Sequence, residues 1–398
     1  MSMRFKGGVI SATPPTTLSG VWTLQQQMQK LAAGYWSGVY QLWAWGSGSQ
    51  SELGLGNNKA YSSPKQVGSP TNWNFVGATK EGSFAIKKDN SLWSWGNGQY
   101  GQLGNGLAGG TNFSTPVQTG SLTNWLQISG GLFSVLAVKT DGTLWSWGRN
   151  EYGQLGLNNA GAGDATARSS PVQVGALTGW ATTSAGSYHS VSIKTDGTLW
   201  SWGRNNQGQL GLGNNTTYSS PKQVGGLTSW SKVACANEST AAIKTDGTLW
   251  SWGRGYGGQL GINNTFNYNS PKQVGALTDW SKISAGFRNF VAVKTDGTLW
   301  CWGFGGRGEL GQNNTTTSSS PVQVGALTTW YEPGSGNSSF FCIKTDGTLW
   351  AWGYNGSGRL GLGNTANRSS PVQIGTATTW TTIVKSGTSY HTHAIKTP

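Results

Sequence analysis

The sequence has few charged residues, few cysteines and few histidines. Only 10% of its 398 residues are charged, and the chain contains three cysteines and three histidines. Cys235, Cys301 and Cys342 are too few and too far apart for a disulfide framework or a zinc knuckle, and Cys301 is expected to be a small buried filler. No apolar run is long enough to cross a membrane, and no secretory signal with a basic start and an apolar middle is present. We therefore expect synthesis in a cytoplasm, without membrane insertion and without a disulfide framework.

The acidic residues show no pattern typical of catalysis. Of the 14 acidic residues, six occupy the same place in a repeat, at predicted hairpin turns: Asp89, Asp141, Asp196, Asp246, Asp296 and Asp346. The other eight include no recurring pair that would suggest a general acid and a general base. The glycine-rich loops lack the strand-to-helix context of a phosphate-binding loop, and the histidines have no ligand cluster around them. The sequence therefore predicts a protein that is not an enzyme, with no catalytic residue, no metal site and no cofactor.

The most prominent feature present is the motif Leu-Trp-x-Trp-Gly, which occurs seven times. The second tryptophans of the seven copies are Trp45, Trp95, Trp147, Trp202, Trp252, Trp302 and Trp352. Successive copies are 50, 52, 55, 50, 50 and 50 residues apart. A period of this length with strand-like content is typical of a β-propeller with one blade per repeat. We therefore predict an all-β fold, a seven-bladed β-propeller of four-stranded antiparallel blades.

One repeat shows the four strands of a blade. Residues 280–286 and 290–294 are predicted as the first two strands, the second rich in β-branched and aromatic residues. Asp296-Gly297 then predicts a type I′ hairpin turn into the third strand, residues 299–302, whose two tryptophans project to one face of the sheet. Pro321 places the fourth strand at the outer edge, since proline cannot donate to a sheet ladder.

The two ends of the repeat region complete each other. The first copy of the Leu-Trp-x-Trp-Gly motif has no second strand before it. The second strand near the C-terminus has no copy of the motif after it. Residues 42–67 and 380–396 are therefore predicted to form one shared blade that closes the ring. Strand direction sorts the connections onto two faces. We name the side with the irregular turns after the first strands and the long loops after the third strands the loop face. The side with the Asp-Gly turns and both propeller ends is the turn face.

The repeat resembles that of the regulator of chromosome condensation family. The resemblance rests on the recurring Lys-Thr-Asp-Gly-Thr, Trp-Gly and Gly-Gln-Leu-Gly elements, and it covers residues 41–397. Gly308-Glu-Leu-Gly and Gly358-Arg-Leu-Gly depart from it by one residue, and only His189 and His391 keep the family's histidine. The resemblance implies a seven-bladed propeller, in which the two histidines are expected to belong to the scaffold rather than to a ligand site. It does not imply an activity, because functions in this family do not follow from the fold.

The first 38 residues are predicted to be a separate docking segment, with the propeller spanning residues 39–398. This segment looks like the leader of tail-fibre and other virion proteins of tailed bacteriophages. Pro14-Pro15 favours an extended stretch, followed by a short helix between Ser19 and Gly34. The candidate docking residues are Trp22, Leu24, Met28, Leu31 and Trp36. The alternative is that the helix packs on its own propeller.

The net charge of +13 favours anionic partners, although part of it belongs to the scaffold. Seven lysines occupy one repeated strand position: Lys87, Lys139, Lys194, Lys244, Lys294, Lys344 and Lys396. Whether the remaining charge serves binding or solubility stays open at this point.

Binding is the function class that the variable positions favour. On the loop face, tyrosine, phenylalanine and arginine escape the repeat, and these types are enriched at recognition surfaces. The candidate binding residues are Tyr100, Arg149, Tyr152, Tyr188, Arg204, Arg254, Tyr256, Phe287, Arg288, Phe304, Arg307 and Tyr354. Arg204 and Arg254 follow their Trp-Gly pairs at equivalent positions and are expected to form part of a basic rim.

These observations lead to one main functional hypothesis and two alternatives. The main hypothesis is a non-enzymatic virion component of a tailed phage, from a tail fibre or baseplate. Its expected partners are other tail or baseplate proteins through the N-terminal segment, a host-surface glycan at the loop face, and a second copy of the chain. The alternatives are a capsid decoration protein and a cellular propeller regulator that binds a protein or nucleic acid. Under the main hypothesis no nucleic acid is required.

Overall fold

In a computed structural model, the described residues 40–69, 72–107, 109, 111–161 and 165–398 form a β-propeller. Its seven antiparallel sheets have four strands each and are the seven blades, which confirms the predicted fold class. The only helical element in these ranges is a 3₁₀ turn at Gly356–Gly358.

Each blade is formed by four strands that are consecutive in the chain, except the blade shared by the two chain ends. We number the shared blade 1 and the others 2 to 7 in chain order. The strands are, in blade 1, β27 Trp380–Ile383, β28 His391–Lys396, β1 Gln41–Gly46 and β2 Tyr61–Gln66; in blade 2, β3 Trp73–Ala78, β4 Gly82–Lys87, β5 Leu92–Gly96 and β6 Phe113–Gln118; in blade 3, β7 Trp125–Gly130, β8 Ser134–Lys139, β9 Leu144–Gly148 and β10 Arg168–Gln173; in blade 4, β11 Trp180–Ala185, β12 His189–Lys194, β13 Leu199–Gly203 and β14 Tyr218–Gln223; in blade 5, β15 Trp230–Cys235, β16 Ser239–Lys244, β17 Leu249–Gly253 and β18 Tyr268–Gln273; in blade 6, β19 Trp280–Ala285, β20 Asn289–Lys294, β21 Leu299–Gly303 and β22 Ser318–Gln323; and in blade 7, β23 Trp330–Ser335, β24 Ser339–Lys344, β25 Leu349–Gly353 and β26 Arg368–Gln373.

Blade 1 closes the ring as the sequence predicts. β1 pairs with β28 in antiparallel register, from Gln41 opposite Lys396 to Gly46 opposite His391. Tyr40 takes the place of a turn residue, because its carbonyl accepts the Trp73 amide at 3.2 Å. Both ends of the propeller therefore lie on the turn face. The predicted docking segment, residues 1–38 with Trp22, Leu24, Met28, Leu31 and Trp36, lies outside the described residues.

The Asp-Gly hairpins are not type I′ turns, and that prediction is wrong. Among the residues of such a turn only the glycine has a positive φ, as at Gly142 with 74°. The Gly142 amide donates to the Lys139 carbonyl, and the Lys139 amide donates to the Thr143 carbonyl, both at 3.0 Å. This pattern is a type I turn followed by a left-handed residue, the three-residue hairpin loop. The aspartate does not have a positive φ, and the Asp141 carboxylate accepts both the amide and the hydroxyl of Thr143.

A tryptophan latch joins every blade to its neighbour. The second tryptophan of each Leu-Trp-x-Trp-Gly motif donates its indole N–H to a backbone carbonyl in the preceding blade. That carbonyl belongs to the residue at the Gln position of Gly-Gln-Leu-Gly. In blade 5, for example, Trp252 donates to Gln209 at 3.0 Å, and in blade 1 Trp45 donates to Arg359 at 2.9 Å. All seven of these indoles are fully buried. The apolar core is accordingly divided into seven clusters, one at each interface between neighbouring blades.

The repeated lysines also belong to the scaffold. The ammonium group of each lies over the ring of the first tryptophan in the Leu-Trp-x-Trp-Gly motif of its own blade. The Lys139 ammonium, for example, lies 3.6 Å from the centroid of the Trp145 ring. Such cation–π contacts are favourable because the ring face carries negative charge. Partial burial lowers the pKa of Lys87, Lys139, Lys344 and Lys396. Seven of the 27 basic residues are thus fixed by packing rather than left free for a partner.

Candidate functional site

A ring of backbone hydrogen bonds forms the inner rim of the loop face. In blades 2 to 7 the loop between the first and second strands donates an amide to the carbonyl of the equivalent loop in the next blade. The bonds run Lys80 to Leu132, Leu132 to Ser187, Ser187 to Asn237, Asn237 to Phe287, Phe287 to Asn337 and Asn337 to Ser389. Six bonds therefore connect the seven blades and hold the side chains of these loops in fixed positions.

The corresponding loop of blade 1, residues 384–390, covers the loop-face end of the central channel. The Thr388 hydroxyl donates to the Gly131 carbonyl in blade 3 at 2.8 Å, and the Ser386 amide donates to the Ser335 carbonyl in blade 7 at 3.0 Å. Gly387 packs against blade 6 so closely that a Cβ there would lie 2.6 Å from the Gly286 carbonyl oxygen. Contacts with blades 3, 6 and 7 mean that this loop crosses the channel axis.

The Gly-Gln-Leu-Gly motif fixes the loops between the third and fourth strands. The side-chain oxygen of Gln102 accepts the Tyr100 amide at 2.8 Å, and that of Gln154 accepts the Tyr152 amide at 2.8 Å. Glu309 replaces the glutamine in blade 6 and accepts the Arg307 amide in the same way. Burial raises the pKa of Glu309, which the Arg307 amide opposes. The motif therefore orders the backbone that carries the variable aromatic and arginine residues.

On blades 2 to 4 the candidate residues contact one another. Tyr100 packs against Phe133 with ring centroids 4.8 Å apart, and the Arg149 guanidinium lies 5.0 Å from the Tyr100 ring. Arg149 also forms a salt bridge with Glu151 at 2.8 Å. In the next interface Tyr152 and Tyr188 pack edge to face at 5.2 Å. These residues are only half-buried, so the cluster forms part of the loop-face surface.

Arg204 and Arg254, the two residues expected to form part of a basic rim, share one carboxylate partner. Glu238, on the loop between the first and second strands of blade 5, pairs with both, at 3.4 Å to Arg204 and 2.7 Å to Arg254. Arg204 also stacks over Tyr152 at 5.1 Å. The two arginines lie on either side of this glutamate, a contact that the sequence did not indicate because contacts between separate loops give no periodic signal.

Two further basic residues that contact the aromatic rings of this region were missed for the same reason. Arg359 replaces the motif glutamine in blade 7 and is buried, with its guanidinium 4.8 Å from the Tyr354 ring and 5.0 Å from the Tyr390 ring. The Lys80 ammonium of blade 2 lies 5.6 Å from the centroid of the Tyr390 ring. Burial lowers the pKa of Arg359, while Tyr354 and Tyr390 oppose that shift.

The remaining candidates form an exposed sector on blades 5 and 6, made up of Tyr256, Arg288, Phe304 and Arg307. Tyr256 is 77% exposed and Phe304 is 37% exposed. Arg288 contacts the half-buried Phe287 at 5.7 Å, and Arg307 lies 4.3 Å from the Tyr354 ring. Among the described residues, neither Arg288 nor Arg307 has a carboxylate partner.

Family models match the chain across the propeller. The model of the regulator of chromosome condensation (RCC1) repeat matches residues 41–79, 89–138, 141–193, 196–243, 246–293, 296–338 and 346–395. The chain belongs to the RCC1 repeat family. A second RCC1 repeat model matches residues 125–154, 180–209 and 280–309.

Curated RCC1 relatives share only part of their length with this chain. The probable E3 ubiquitin-protein ligase HERC3 of Homo sapiens is 39% identical over 87 residues, which are 21% of this chain and 8% of that protein. The ultraviolet-B receptor UVR8 of Arabidopsis thaliana is 31% identical over 172 residues, 42% of this chain and 38% of the receptor. In both, the matched part is well under two thirds of the relative.

Two solved structures share the fold of this chain at low identity. The crystal structure of human WBSCR16 superposes with a TM-score of 0.80 at 19% identity, covering 90% of this chain and 99% of that one. Prp20p from Saccharomyces cerevisiae gives a TM-score of 0.78 at 19% identity, covering 91% and 92%. Identities this low establish the fold alone.

The histidines of this RCC1 propeller are buried in the scaffold. His189 forms a hydrogen bond with Thr240 at 3.0 Å and His391 with Ser83 at 2.7 Å, each across a blade interface. Burial lowers the pKa of His189 and His393 to about 3 and that of His391 well below its ordinary range. In the described part of the chain, no three His, Cys, Asp or Glu side chains are grouped so that they could hold a metal ion. Nor does any helix there have the length and hydropathy of a bilayer crossing.

Proposed function

We propose that this RCC1 propeller is a non-enzymatic binding protein that holds a protein partner on its loop face. The exposed sector of Tyr256, Arg288, Phe304 and Arg307 is the centre of the binding surface. The observation that carries this proposal is the exposure of two aromatic rings beside two arginines without carboxylate partners among the described residues. Exposed aromatic rings and arginines are the side chains that contribute most to protein interfaces when a partner buries them.

The charge pattern favours a protein over nucleic acid as the partner. Phosphate backbones are held by many basic side chains with free charge. On this face Arg149, Arg204 and Arg254 are already paired with Glu151 and Glu238. The exposed sector presents solvent-accessible guanidinium groups without carboxylate partners among the described residues, next to aromatic rings, which suits a partner with a few carboxylates around an apolar patch.

The matched proteins support the class of function and not a particular partner. Prp20p from Saccharomyces cerevisiae is described as binding Gsp1p and histones, and the same yeast RCC1 has been crystallised bound to Kap60. Both descriptions concern that yeast propeller, whose identity to this chain is about 20%. They support the use of an RCC1 propeller as a platform for other proteins, which was the cellular alternative drawn from the sequence.

The virion hypothesis has no support from these matches. It depends on the first 36 residues, which lie outside the described residues, and it stays a prediction. Detection of the protein in purified phage particles by mass spectrometry would establish it. The loop-face proposal does not depend on that result, because it concerns the propeller alone.

The test compares partner binding by two matched triple variants. Y256A/F304A/R307A removes two rings and one positive charge from the exposed sector. The control L177A/L227A/K222A removes two exposed apolar side chains of the turn face and one positive charge of an outer strand. Each variant and the wild-type protein are used to isolate partners from an extract of the source cells, and the complexes are cross-linked and mapped by mass spectrometry.

We expect the exposed-sector variant to lose at least about tenfold in affinity for the isolated partner, a typical loss for two interface rings and an arginine. The control variant should bind like wild type, and cross-links should reach the loop face. Equal binding by both variants, or cross-links confined to the turn face, would disprove the proposal. A retained nucleic acid that is released by moderate salt would favour the nucleic-acid alternative instead.

A further inference from the structure

The central channel is a blind cavity that opens on the turn face. The first strands of the seven blades line it, and the cavity volume is about 310 Å³. Gly387, in the loop that crosses the channel axis, forms part of its lining at the loop-face end. Access is therefore left on the turn-face side, where the first strands begin.

One residue position decides the chemistry of the wall. Two residues after the opening tryptophan, each first strand directs a side chain into the cavity, and the scaffold imposes no type there. The seven residues are Phe75, Gln127, Thr182, Lys232, Lys282, Glu332 and Thr382. Lys232, Lys282 and Glu332 come from the consecutive blades 5, 6 and 7, and Lys385 of blade 1 follows next in the ring.

The four charged groups on this wall do not balance. Glu332 pairs with Lys282 at 3.0 Å and also with Lys385. Burial by itself would raise the pKa of Glu332, but the two ammonium groups lower it, so the carboxylate is ionised near neutral pH. Lys232 has no carboxylate partner among the described residues. The cavity wall thus carries three positive charges and one negative charge.

The opposite wall of the cavity carries no charge, and its polar side chains already form hydrogen bonds with one another. The Gln127 amide donates to the Thr182 hydroxyl at 3.3 Å, and its oxygen accepts the Thr183 amide at 3.3 Å. Toward the closed end, Ser284 and Ser335 share a hydrogen bond of 2.8 Å. A ligand would therefore be oriented by the cationic wall, with hydroxyl and amide groups beside it.

We propose that this cavity binds a small compact polyanion, a phosphorylated or polycarboxylate molecule, that enters from the turn face. Lys232, Lys282 and Lys385 donate to its oxygens. When the ligand is absent, the Glu332 carboxylate pairs with Lys282 and Lys385 and offsets the repulsion between their ammonium groups. It therefore occupies part of the space that the ligand's oxygens would take. The closed end and the limited volume exclude a nucleic acid strand that threads through the channel. The site is distinct from the loop face, so it goes beyond the proposed function.

The experiment measures binding of two probes to the full-length protein by titration calorimetry. Pyrophosphate represents the phosphorylated class and citrate the polycarboxylate class. Wild-type protein should bind at least one of them with one site per chain. A stoichiometry well above one would mean general adsorption to a basic surface and would overturn the proposal. An acidic peptide that binds while both probes fail would overturn it as well.

Matched variants locate the site. Lys232→Gln changes an exposed side chain without a carboxylate partner, so the fold should be retained, and it should weaken probe binding about threefold or more. The double variant K232Q/K282Q should lose at least about tenfold. The control K222Q/K272Q removes the same charge from the outer strands of blades 4 and 5 and should bind like wild type.

Glu332→Gln gives the sharpest outcome. This substitution removes the carboxylate that forms salt bridges with Lys282 and Lys385, so both ammonium groups become free to bind the probe. We therefore expect probe binding to tighten several-fold, even if the loss of the two salt bridges lowers the stability of the fold. Melting temperature measured with and without the probe serves as a second readout, since ligand binding raises it for a correctly folded variant. Weaker binding by E332Q, or equal loss in K232Q/K282Q and K222Q/K272Q, would show that the cavity is not the site.

Discussion

His393 lies at a core position that apolar residues fill in the other blades. Phe84 and Phe341 stand at the equivalent place in blades 2 and 7, and all three side chains are fully buried. Neither ring nitrogen of His393 has a hydrogen-bond partner in the described part of the chain. Its ring packs edge to face on Trp95 at 5.3 Å and on His391 at 5.1 Å. Only the neutral form fits such a site, which is why the pKa of His393 falls to about 3.

We predict that His393→Phe stabilises the protein, and more so in acid. The folded pKa of about 3 is below the unfolded value, so the unfolded chain takes up a proton first as the pH falls. Stability is therefore complete above about pH 6.5 and declines toward pH 3, by up to about 2.7 kcal/mol for this residue at pH 4.5. The measurement is urea unfolding at pH 7 and pH 4.5. Since His393→Asn removes the titration but keeps an unpaired polar group, it should flatten the pH dependence without the gain at pH 7. An unchanged acid decline in His393→Phe would contradict the assignment.

A second residue-scale prediction concerns Glu238 and its two arginines. R204A/R254A removes both salt-bridge partners and leaves a mostly buried carboxylate uncompensated. We expect a loss of about 1 kcal/mol in the free energy of unfolding, because each half-exposed pair contributes up to about 1 kcal/mol. Adding Glu238→Gln to the double variant should restore most of it. The measurement is the free energy of unfolding of the wild type, the double variant and the triple variant by chemical denaturation. A triple variant less stable than the double variant would show that the unpaired Glu238 carboxylate is not the cause of the loss.

At the scale of the element, the tryptophan latch has a strong and a weak version. The carbonyl of Gln209 accepts the indole N–H of Trp252 and also the Thr240 hydroxyl at 2.9 Å. The carbonyl of Gln259 accepts only Trp302 among the described residues, because Phe290 occupies the position of Thr240. Both indoles are fully buried and both accept a first-strand tryptophan against their rings, although Phe290 also stacks on Trp302 with ring centroids 5.8 Å apart.

We predict that Trp302→Phe destabilises the protein by about 1 kcal/mol more than Trp252→Phe does, since a buried carbonyl left without any donor costs about 1 to 3 kcal/mol. The free energy of unfolding in guanidinium chloride provides the measurement. Adding Thr240→Val to Trp252→Phe should bring that loss to the level of Trp302→Phe. If the double variant behaves like Trp252→Phe alone, the hydroxyl is not the second donor.

The shared blade gives another element-scale prediction. Deletion of residues 393–398 removes most of β28 and exposes the facing edges of β27 and β1. Unpaired strand edges promote association with other chains, so the truncated protein should aggregate and melt well below the full-length protein. Removal of Pro398 alone serves as the control and should have no effect. Light scattering during a thermal melt measures both properties, and a truncated protein that melts normally would contradict ring closure by β28.

The strands, the shared blade and the two faces could be predicted because they repeat. A residue at one place in seven blades, such as Trp45 or Lys396, has a role that its copies reveal. The turn type could not be predicted in this way. Asp-Gly fits both a two-residue and a three-residue hairpin loop, and Thr143 decides between them through its hydrogen bonds to Asp141.

The side-chain contacts of the candidate surface could not be predicted from the sequence for a different reason. Glu238 reaches Arg204 and Arg254 from a neighbouring loop, and Arg359 reaches Tyr390 across a blade interface. Residue types at these positions recur in the sequence, as arginine does after Trp-Gly at Arg149, Arg204 and Arg254, but the repeat does not show which side chains on separate loops come into contact. The sequence could therefore name most of the exposed aromatic and arginine residues but not which of the arginines are neutralised.

At the scale of the whole molecule, the two faces have separate uses. The propeller ends lie on the turn face, and the exposed sector lies on the loop face. We predict that protein attached to a surface through its N-terminus binds its partner normally. Protein attached through a cysteine introduced as Tyr256→Cys should not bind, because attachment covers the sector. The three native cysteines are buried and should not compete for the thiol reagent. Surface plasmon resonance measures both orientations, and binding in the second orientation would place the partner elsewhere.

The antiparallel register of β1 and β28 gives the ring a directional mechanical strength. Gln41 pairs with Lys396, so both strands leave this ladder at the same edge. Tension applied between the two chain ends loads the six residue pairs one after another and unzips blade 1 at low force. Tension between the N-terminal end and a partner on the loop face runs along β1 instead. All pairs of the ladder then bear the load together, in shear. A propeller closed in this way withstands a pull through its own body but opens when its ends are drawn apart.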